Sequence, residues 1–337
     1  MSLGLLTRKA SRTPPEVADA VFRSYVETSE LVCQLGSVDE AATLLSKAVA
    51  TAHEAWGDDP RLALALNRLG VLRCRQGRHS ESERLLKRAV AVLERACGPS
   101  APDLAMVLTN LGILYRLIGR HEQTRAVLER AVRIAELSVG PTDLSVAWTL
   151  DVLGDVEALE GNVAVAMFHY RRALGIKEAA LGADHGDVAV TAGKLGELYL
   201  HEGRYNEAER HLVRVIGIRE RRVGWNHPAM AKPLARLGHL YARQGKHGRA
   251  EQIVRYALTL QAHALPCDHP DIFASLKELS EIYRGLGRYA AADEVWKLAL
   301  GLADGTEDRQ QIVPFEFPHP PRISGEGSPA FEVGGAG

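Results

Sequence analysis

Glycine punctuates this chain at Gly36, Gly77, Gly119, Gly161, Gly203, Gly245 and Gly287, first at an interval of 41 residues and then always at 42. A second set of breakers, Gly57, Gly98, Gly140, Gly182, Gly224 and Pro266, follows each of the first six after 21 residues. The one short interval lies inside a turn, where Gly57-Asp58-Asp59-Pro60 is one residue shorter than Gly98-Pro99-Ser100-Ala101-Pro102. A fixed period of this length means stacked units that bury their apolar faces only against neighbours. Between breakers the pattern is helical. Leu104, Leu108, Leu111, Tyr115 and Ile118 step by four and three, and Leu128, Ala131 and Ala135 continue one stripe in the next segment. Glu83 with Lys87 and Glu129 with Arg133 form four-apart pairs on the exposed faces. No strand pattern appears, so the spacing predicts an all-α chain of seven antiparallel helix hairpins over residues 14–56, 58–97, 99–139, 141–181, 183–223, 225–265 and 267–303.

Small residues recur where two helices must approach closely. Gly70, Gly112, Gly154, Gly196, Gly238 and Ser280 share one site in the first helix of hairpins two to seven. In the second helix, Ala41, Ser82, Thr124, Ala166, Ala208, Ala250 and Ala292 share another, and Ala48, Ala89, Ala131, Ala173, Val215, Ala257 and Ala299 a third. A bulky residue stands between these last two sites: Leu45, Leu86, Leu128, Tyr170, Leu212, Val254 or Trp296. Such phasing lets antiparallel helices pack close, the large side chain filling the remaining gap.

These residues resemble the tetratricopeptide repeat. Leu195-Gly196-Glu197-Leu198-Tyr199, Leu237-Gly238-His239-Leu240-Tyr241, Gly203-Arg204-Tyr205 with Ala208, and the Asp-His turns at Asp184-His185 and Asp268-His269-Pro270 carry the likeness. The 42-residue period resembles the kinesin-light-chain subtype, with longer helices than the 34-residue form. The first unit departs at Thr28-Ser29, and the fourth has Glu157 where tyrosine is expected. The resemblance implies a right-handed superhelical solenoid whose first helices line a concave peptide-binding groove.

Several function classes find no support in the sequence. The chain has 337 residues, 41 Lys+Arg against 42 Asp+Glu and 6% aromatic residues, which leaves no electrostatic footprint for nucleic acid or an anionic membrane. No apolar run approaches the roughly 18 residues of a membrane span. Four cysteines are too sparse for a disulfide framework, so a cytoplasmic, reduced protein is expected. Phosphate-loop, nucleophile-elbow, H-E-x-x-H and C-x-x-C motifs are missing, and neither an enzyme nor a cofactor is expected. His185, His227 and His269 recur at 42-residue steps, but equivalent sites in stacked hairpins lie about 10 Å apart. Zinc ligands sit about 2.0–2.3 Å from a shared ion, so these histidines read as turn signature. The same spacing argues against a disulfide between Cys33 and Cys74, whose Cα atoms would need to lie within about 6.8 Å.

Residues 1–13 carry a charge of +3 and residues 304–337 a charge of −4, the latter rich in proline and glycine; both are expected to be largely disordered. Ile312-Val313-Pro314-Phe315-Glu316-Phe317 is apolar for such a tail, and is expected to fold back over the last hairpin or into the groove. Removing the tail should then change stability or ligand binding.

Positions counted from the Leu-Gly pair give the expected groove lining. Hairpin two offers Leu64, Asn67 and Arg75; hairpin three Met106, Ile113 and Arg116; hairpin four Trp148, Asp151 and Asp155. Glu197 follows in hairpin five, Lys232, His239 and Arg243 in hairpin six, and Lys277 and Arg284 in hairpin seven. The lining runs from apolar with arginines, through acidic, to basic. The expectation is an adaptor binding a peptide segment of a partner protein, with Trp148 as anchor. The alternative is a regulatory sensor whose groove takes a signalling peptide or small molecule and passes on a conformational change. Self-association through uncapped ends is a third way to use such a chain.

Overall fold

The computed structural model describes residues 14–305 together with 312, 320, 321 and 323. The expected tail 1–13, and most of 304–337, lie outside the described residues. Among the described residues fourteen α-helices alternate as hairpins: α1 (Pro15–Gln34) with α2 (Val38–Trp56), α3 (Pro60–Arg75) with α4 (His79–Cys97), α5 (Pro102–Leu117) with α6 (His121–Ser138), and α7 (Leu144–Leu159) with α8 (Val163–Leu181). Then come α9 (Gly186–His201) with α10 (Tyr205–Val223), α11 (Ala231–Arg243) with α12 (His247–Ala264), and α13 (Pro270–Gly285) with α14 (Tyr289–Ala303). The chain divides into two compact units, Met1–His169 and Tyr170–Gly337, the division falling inside α8.

The turn within each hairpin needs a left-handed residue. At Gly119, φ is +74°, its N–H donates to the Arg116 carbonyl, and the next N–H, of Arg120, reaches back to Tyr115 at 2.9 Å. That closes the end of α5 and reverses the chain at no Cβ penalty.

Turns between hairpins are capped by side chains, except before α5, where Ala101 stands at the cap. Asp59 and Asp143 accept the N–H groups of Arg61 and Ser145 at 2.9 and 2.8 Å. In the later hairpins the imidazole does this work, Nδ1 of His185, His227 and His269 accepting from Asp187, Ala229 and Asp271 at 3.2, 3.1 and 3.1 Å. The histidine row is therefore a set of helix caps. Asn226 does not cap, because its Oδ1 accepts the Tyr256 hydroxyl at 2.9 Å.

The start of α11 is altered by Pro233. A 3-10 turn over Pro228–Met230 precedes it, and proline has no N–H to offer the Ala229 carbonyl. The Arg219 guanidinium donates to that carbonyl instead, and burial pulls its pKa below the usual arginine value.

Every small residue at the two second-helix sites is buried. Their size is what allows Gly70, Gly112 and Gly238 to face Leu86, Leu128 and Val254 with no space left for a Cβ. Two of the hydroxyls are taken by a carbonyl across the hairpin, Ser82 donating to Gly70 and Ser280 to Ala292, each at 2.8 Å, while Thr124 donates to the Arg120 carbonyl one turn back at 2.9 Å.

Neighbouring hairpins are clasped near the turns. Glu83 accepts from Lys87 at 2.7 Å and from Arg120 and Tyr115 of the next hairpin at 2.9 and 3.3 Å. Glu209 takes the Tyr241 hydroxyl at 2.7 Å and Glu251 takes Arg288 at 3.0 Å at equivalent sites. In the fourth hairpin the pair is inverted. Arg125 now stands on the second helix, and buried Glu157 replaces tyrosine, with Arg125 Nε at 2.7 Å.

His211 of α10 stacks on Tyr199 at a centroid distance of 5.4 Å. Burial, and then the charges of Arg214, Arg210 and Arg171, hold its pKa below the ordinary 6.5. The folded state thus favours the neutral ring, and the unfolded state binds the proton more readily. This contribution is complete above about pH 6.5 and is lost as pH falls toward the depressed folded value. Urea titrations at pH 7.5 and 5.5 should show lower stability in acid, and His211→Phe should flatten that difference. An unchanged difference in the variant would place the acid sensitivity elsewhere.

Candidate functional site

Within each unit the first helices lie side by side. α3, α5 and α7 touch in succession, as do α9, α11 and α13, whereas no comparable contact among the described residues joins successive second helices. First helices closer than second helices make the first-helix face the inner one. On its floor Asn110 Nδ2 donates to Asn67 Oδ1 at 2.9 Å, and the hydroxyls of Thr109 and Thr149 lie 2.8 Å apart.

These bonds decide which expected positions reach solvent. Asn67 is only 3% exposed and engaged by Asn110, and Asp151 is 6% exposed, so both sit in the floor instead of facing a ligand. Met106 and Trp148, one repeat apart, stand out from it at 47% and 48% exposure. Leu64 precedes them in the same row, half-buried. Beside the row lie half-buried Ile113, exposed Leu117 and Leu159, and Arg75, whose guanidinium rests 3.8 Å from the Cys33 thiol. Cys33 and Cys74 are free thiols. Arg116 is half-buried, and its Nε is shielded from solvent without an acceptor. Asp155 is half-buried on the same helix as Trp148.

In the second unit the expected basic surface is largely consumed by neighbouring acids. Glu197 receives Lys232 at 3.5 Å and Arg236 at 3.4 Å. His239 Nδ1 lies 2.7 Å from Glu278, and Arg284 lies 3.6 Å from Asp293. Arg243 and Lys277 are exposed and carry no ion pair among the described residues. Arg236 and Glu278 were missed by counting from the Leu-Gly pair. Their partners lie 39 residues away, across to the adjacent first helix, and this step repeats between Arg68 and Glu30 at 38. The expected groove positions therefore fall into an exposed apolar row in the first unit and a mostly neutralised charged surface in the second.

No described helix is long and apolar enough to cross a membrane. No group of three His, Cys, Asp or Glu side chains among the described residues is placed to hold a metal ion.

Comparison with known proteins agrees with this architecture. The family described as tetratricopeptide repeat matches over residues 22–95, 61–136, 103–179, 169–221 and 187–263. Comparison with curated proteins finds no match. Among solved structures, the nearly identical TPR-like repeats of a protein assigned as a kinesin light chain from Podosopora anserina are similar at 21% identity and a TM-score of 0.53, covering 61% of this chain and 97% of that one. A STAND signal-transduction ATPase from Pyrococcus horikoshii with a tetratricopeptide-repeat sensor is similar at 16% identity and a TM-score of 0.67, over 86% of this chain and 43% of that one. The apo form of RapI is similar at 14% identity and a TM-score of 0.61, over 87% and 99%. At these identities the likeness is one of fold. Period, hairpin packing and the overlapping family matches converge: the chain belongs to the tetratricopeptide-repeat family.

Proposed function

We propose that this chain is a non-enzymatic adaptor that binds a peptide segment of another protein on its first-helix face. Repeats of this family generally mediate protein–protein interactions, which sets the class. The observation that carries the particular reading is the exposed row of Met106 and Trp148 at equivalent sites of adjacent helices. Two large apolar side chains held half out of a packed floor make an anchor site, since aromatic anchors dominate binding energy at interfaces. Arg116, half-buried on the same face one turn beyond Ile113, supplies the polar half of the reading through the exposed part of its guanidinium. The favoured ligand is a segment with an apolar side chain for the Met106–Trp148 row and a carboxylate for Arg116. Arg243 and Lys277 offer a further anionic contact in the second unit, while Lys232, His239 and Arg284 already face acids.

The test is a quantitative pull-down from lysate, comparing wild type with Trp148→Ala and with Arg243→Glu. Truncating a central aromatic anchor costs about 2 kcal/mol, roughly a thirtyfold loss of affinity. A small set of proteins should be lost from Trp148→Ala while the rest of the list is unchanged. Identical lists from all three proteins would move the binding surface off this face.

A further inference from the structure

The second helices carry an outward position occupied in succession by Arg88, Arg130, Arg172 and Arg214, all half-buried or exposed. In the last two hairpins the same position holds Tyr256 and Leu298, and both are buried. Three residues further on, Ala91, Arg133 and Gly175 are exposed and Gly217 is half-buried, yet Thr259 is 9% exposed. As a result all seven residues from Tyr256 to Ala262 of α12 are buried, including Gln261 at 3%. No other second helix shows such a run among the described residues. A helix buried all round must be covered on its outer side as well as its inner.

The material for that cover is also described. Ile312 is 0% exposed, Pro321 is buried and Ile323 is half-buried, all beyond the end of α14. Gly305 and Ile312 are seven residue steps apart in the sequence, a stretch that can span at most about 24 Å. The fifteen residues of α14 rise about 22 Å, so Ile312 is within reach of any point along it. A fully buried isoleucine needs apolar neighbours, and Leu298 of α14, buried where hairpins two to five carry arginine, is one within its reach.

We propose that the outer faces of α12 and α14 form a docking strip for this chain's own C-terminal segment, seated through Ile312 and Pro321. The strip comprises Thr259 of α12 and Leu298 of α14, with the ring of Tyr256 beside them. It lies on second helices, so the segment leaves the first-helix face open and seals the final hairpin from behind. At the arginine position Arg130 and Arg214 reach back to the carbonyls of Pro99 and Ala183 in the preceding turn, and Tyr256 makes the corresponding contact with Asn226, so the covering segment accounts for the burial of Thr259 and Leu298 and not for that of the Tyr256 hydroxyl.

Amide hydrogen exchange on the full chain tests this with two variants on opposite sides of the contact. Ile312→Asp should accelerate exchange in α12 and α14 at least tenfold and leave the first five hairpins unchanged. Thr259→Arg, which installs the residue of the third hairpin at that site, should accelerate exchange at Ile312 to the same extent. Sedimentation across a concentration range accompanies both. Protection of the strip that returns only at high concentration, together with dimers, supports the proposal, since a second copy then fills the vacated strip. Wild-type exchange in both variants on dilution would overturn it, because the strip would then be covered by something other than this segment.

Discussion

Gly112→Val should lower the stability of the first unit by at least about 3 kcal/mol, among the largest effects of any single substitution in a first helix. A Cβ at this position would lie 2.4 Å from Leu128 Cδ2 and 2.6 Å from its Cγ, well inside van der Waals contact. Leu128 is itself fully buried, so it cannot yield without pushing α6 away from α5. Overpacking typically costs about 1–3 kcal/mol, and two further methyl groups on a β-branched residue take the variant to the top of that range. Higher helix propensity returns less than about 1 kcal/mol. Gly193→Ala is the control, since its nearest neighbour would be Val215 Cγ2 at 3.8 Å, and it should be neutral or slightly stabilising. Chemical denaturation with amide exchange resolved by hairpin measures both, because a repeat array need not unfold in one step. Adding Leu128→Ala to Gly112→Val should recover part of the loss. Equal stability of Gly112→Val and wild type would refute close packing of α5 on α6.

Arg125→Met should cost about 3 kcal/mol at neutral pH while keeping most of the side-chain volume. Glu157 is 5% exposed, and its carboxylate is held by Arg125 Nε and Asn162 Nδ2, each at 2.7 Å. Arg125 also pairs with Glu160. Removing the guanidinium leaves a buried carboxylate with one neutral donor, the costly half of a broken pair. The pH dependence distinguishes this from lost packing. In the wild type burial raises the Glu157 pKa, but hydrogen bonds from Arg125 and Asn162 and the guanidinium charge outweigh it and leave the value below the ordinary 4.5. Its contribution is therefore complete above pH 4.5 and is lost as pH falls through the depressed value. Without Arg125, burial prevails, the folded pKa rises above the unfolded one, and the variant loses stability as pH increases. The gap between the two proteins should be widest at pH 7 and narrow toward pH 4. A gap independent of pH would mean that packing, and not the carboxylate, sets the cost. Glu157→Gln combined with Arg125→Met should restore much of the stability at pH 7.

The inverted clasp shows how far sequence carries and where it stops. Glu157 stood out as a departure from the repeat because tyrosine was expected there. Its reason lies on another helix, 32 residues earlier, where Arg125 stands at the site that Glu83, Glu209 and Glu251 occupy in other hairpins. Both changes were visible in the chain, but only the fold brings those two positions together.

The same division runs through the candidate site. Periodicity alone located the turns, the small residues at the helix contacts and the bulky residues opposite them, because each depends on spacing within one hairpin. The helix cylinder fixes which residues of a stripe face inward, and a 42-residue repeat states this seven times over. Exposure of Met106 and Trp148 followed from that register as well. Which charged positions stay available did not. Lys232 and Arg236 meet Glu197, His239 meets Glu278, and Asn67 meets Asn110 across separations of 35 to 43 residues. Such pairs depend on the offset and rotation of one packed helix against the next, and side-chain reach then selects among several nearby partners. The burial of Tyr256 through Ala262 belongs here too, since a helix carries no local mark of what lies over its outer face. Sequence determined the hairpins and their contact residues because those are set by helix geometry over short distances. Tertiary structure decided which polar and apolar groups remain free, because that depends on what each neighbouring helix has already covered.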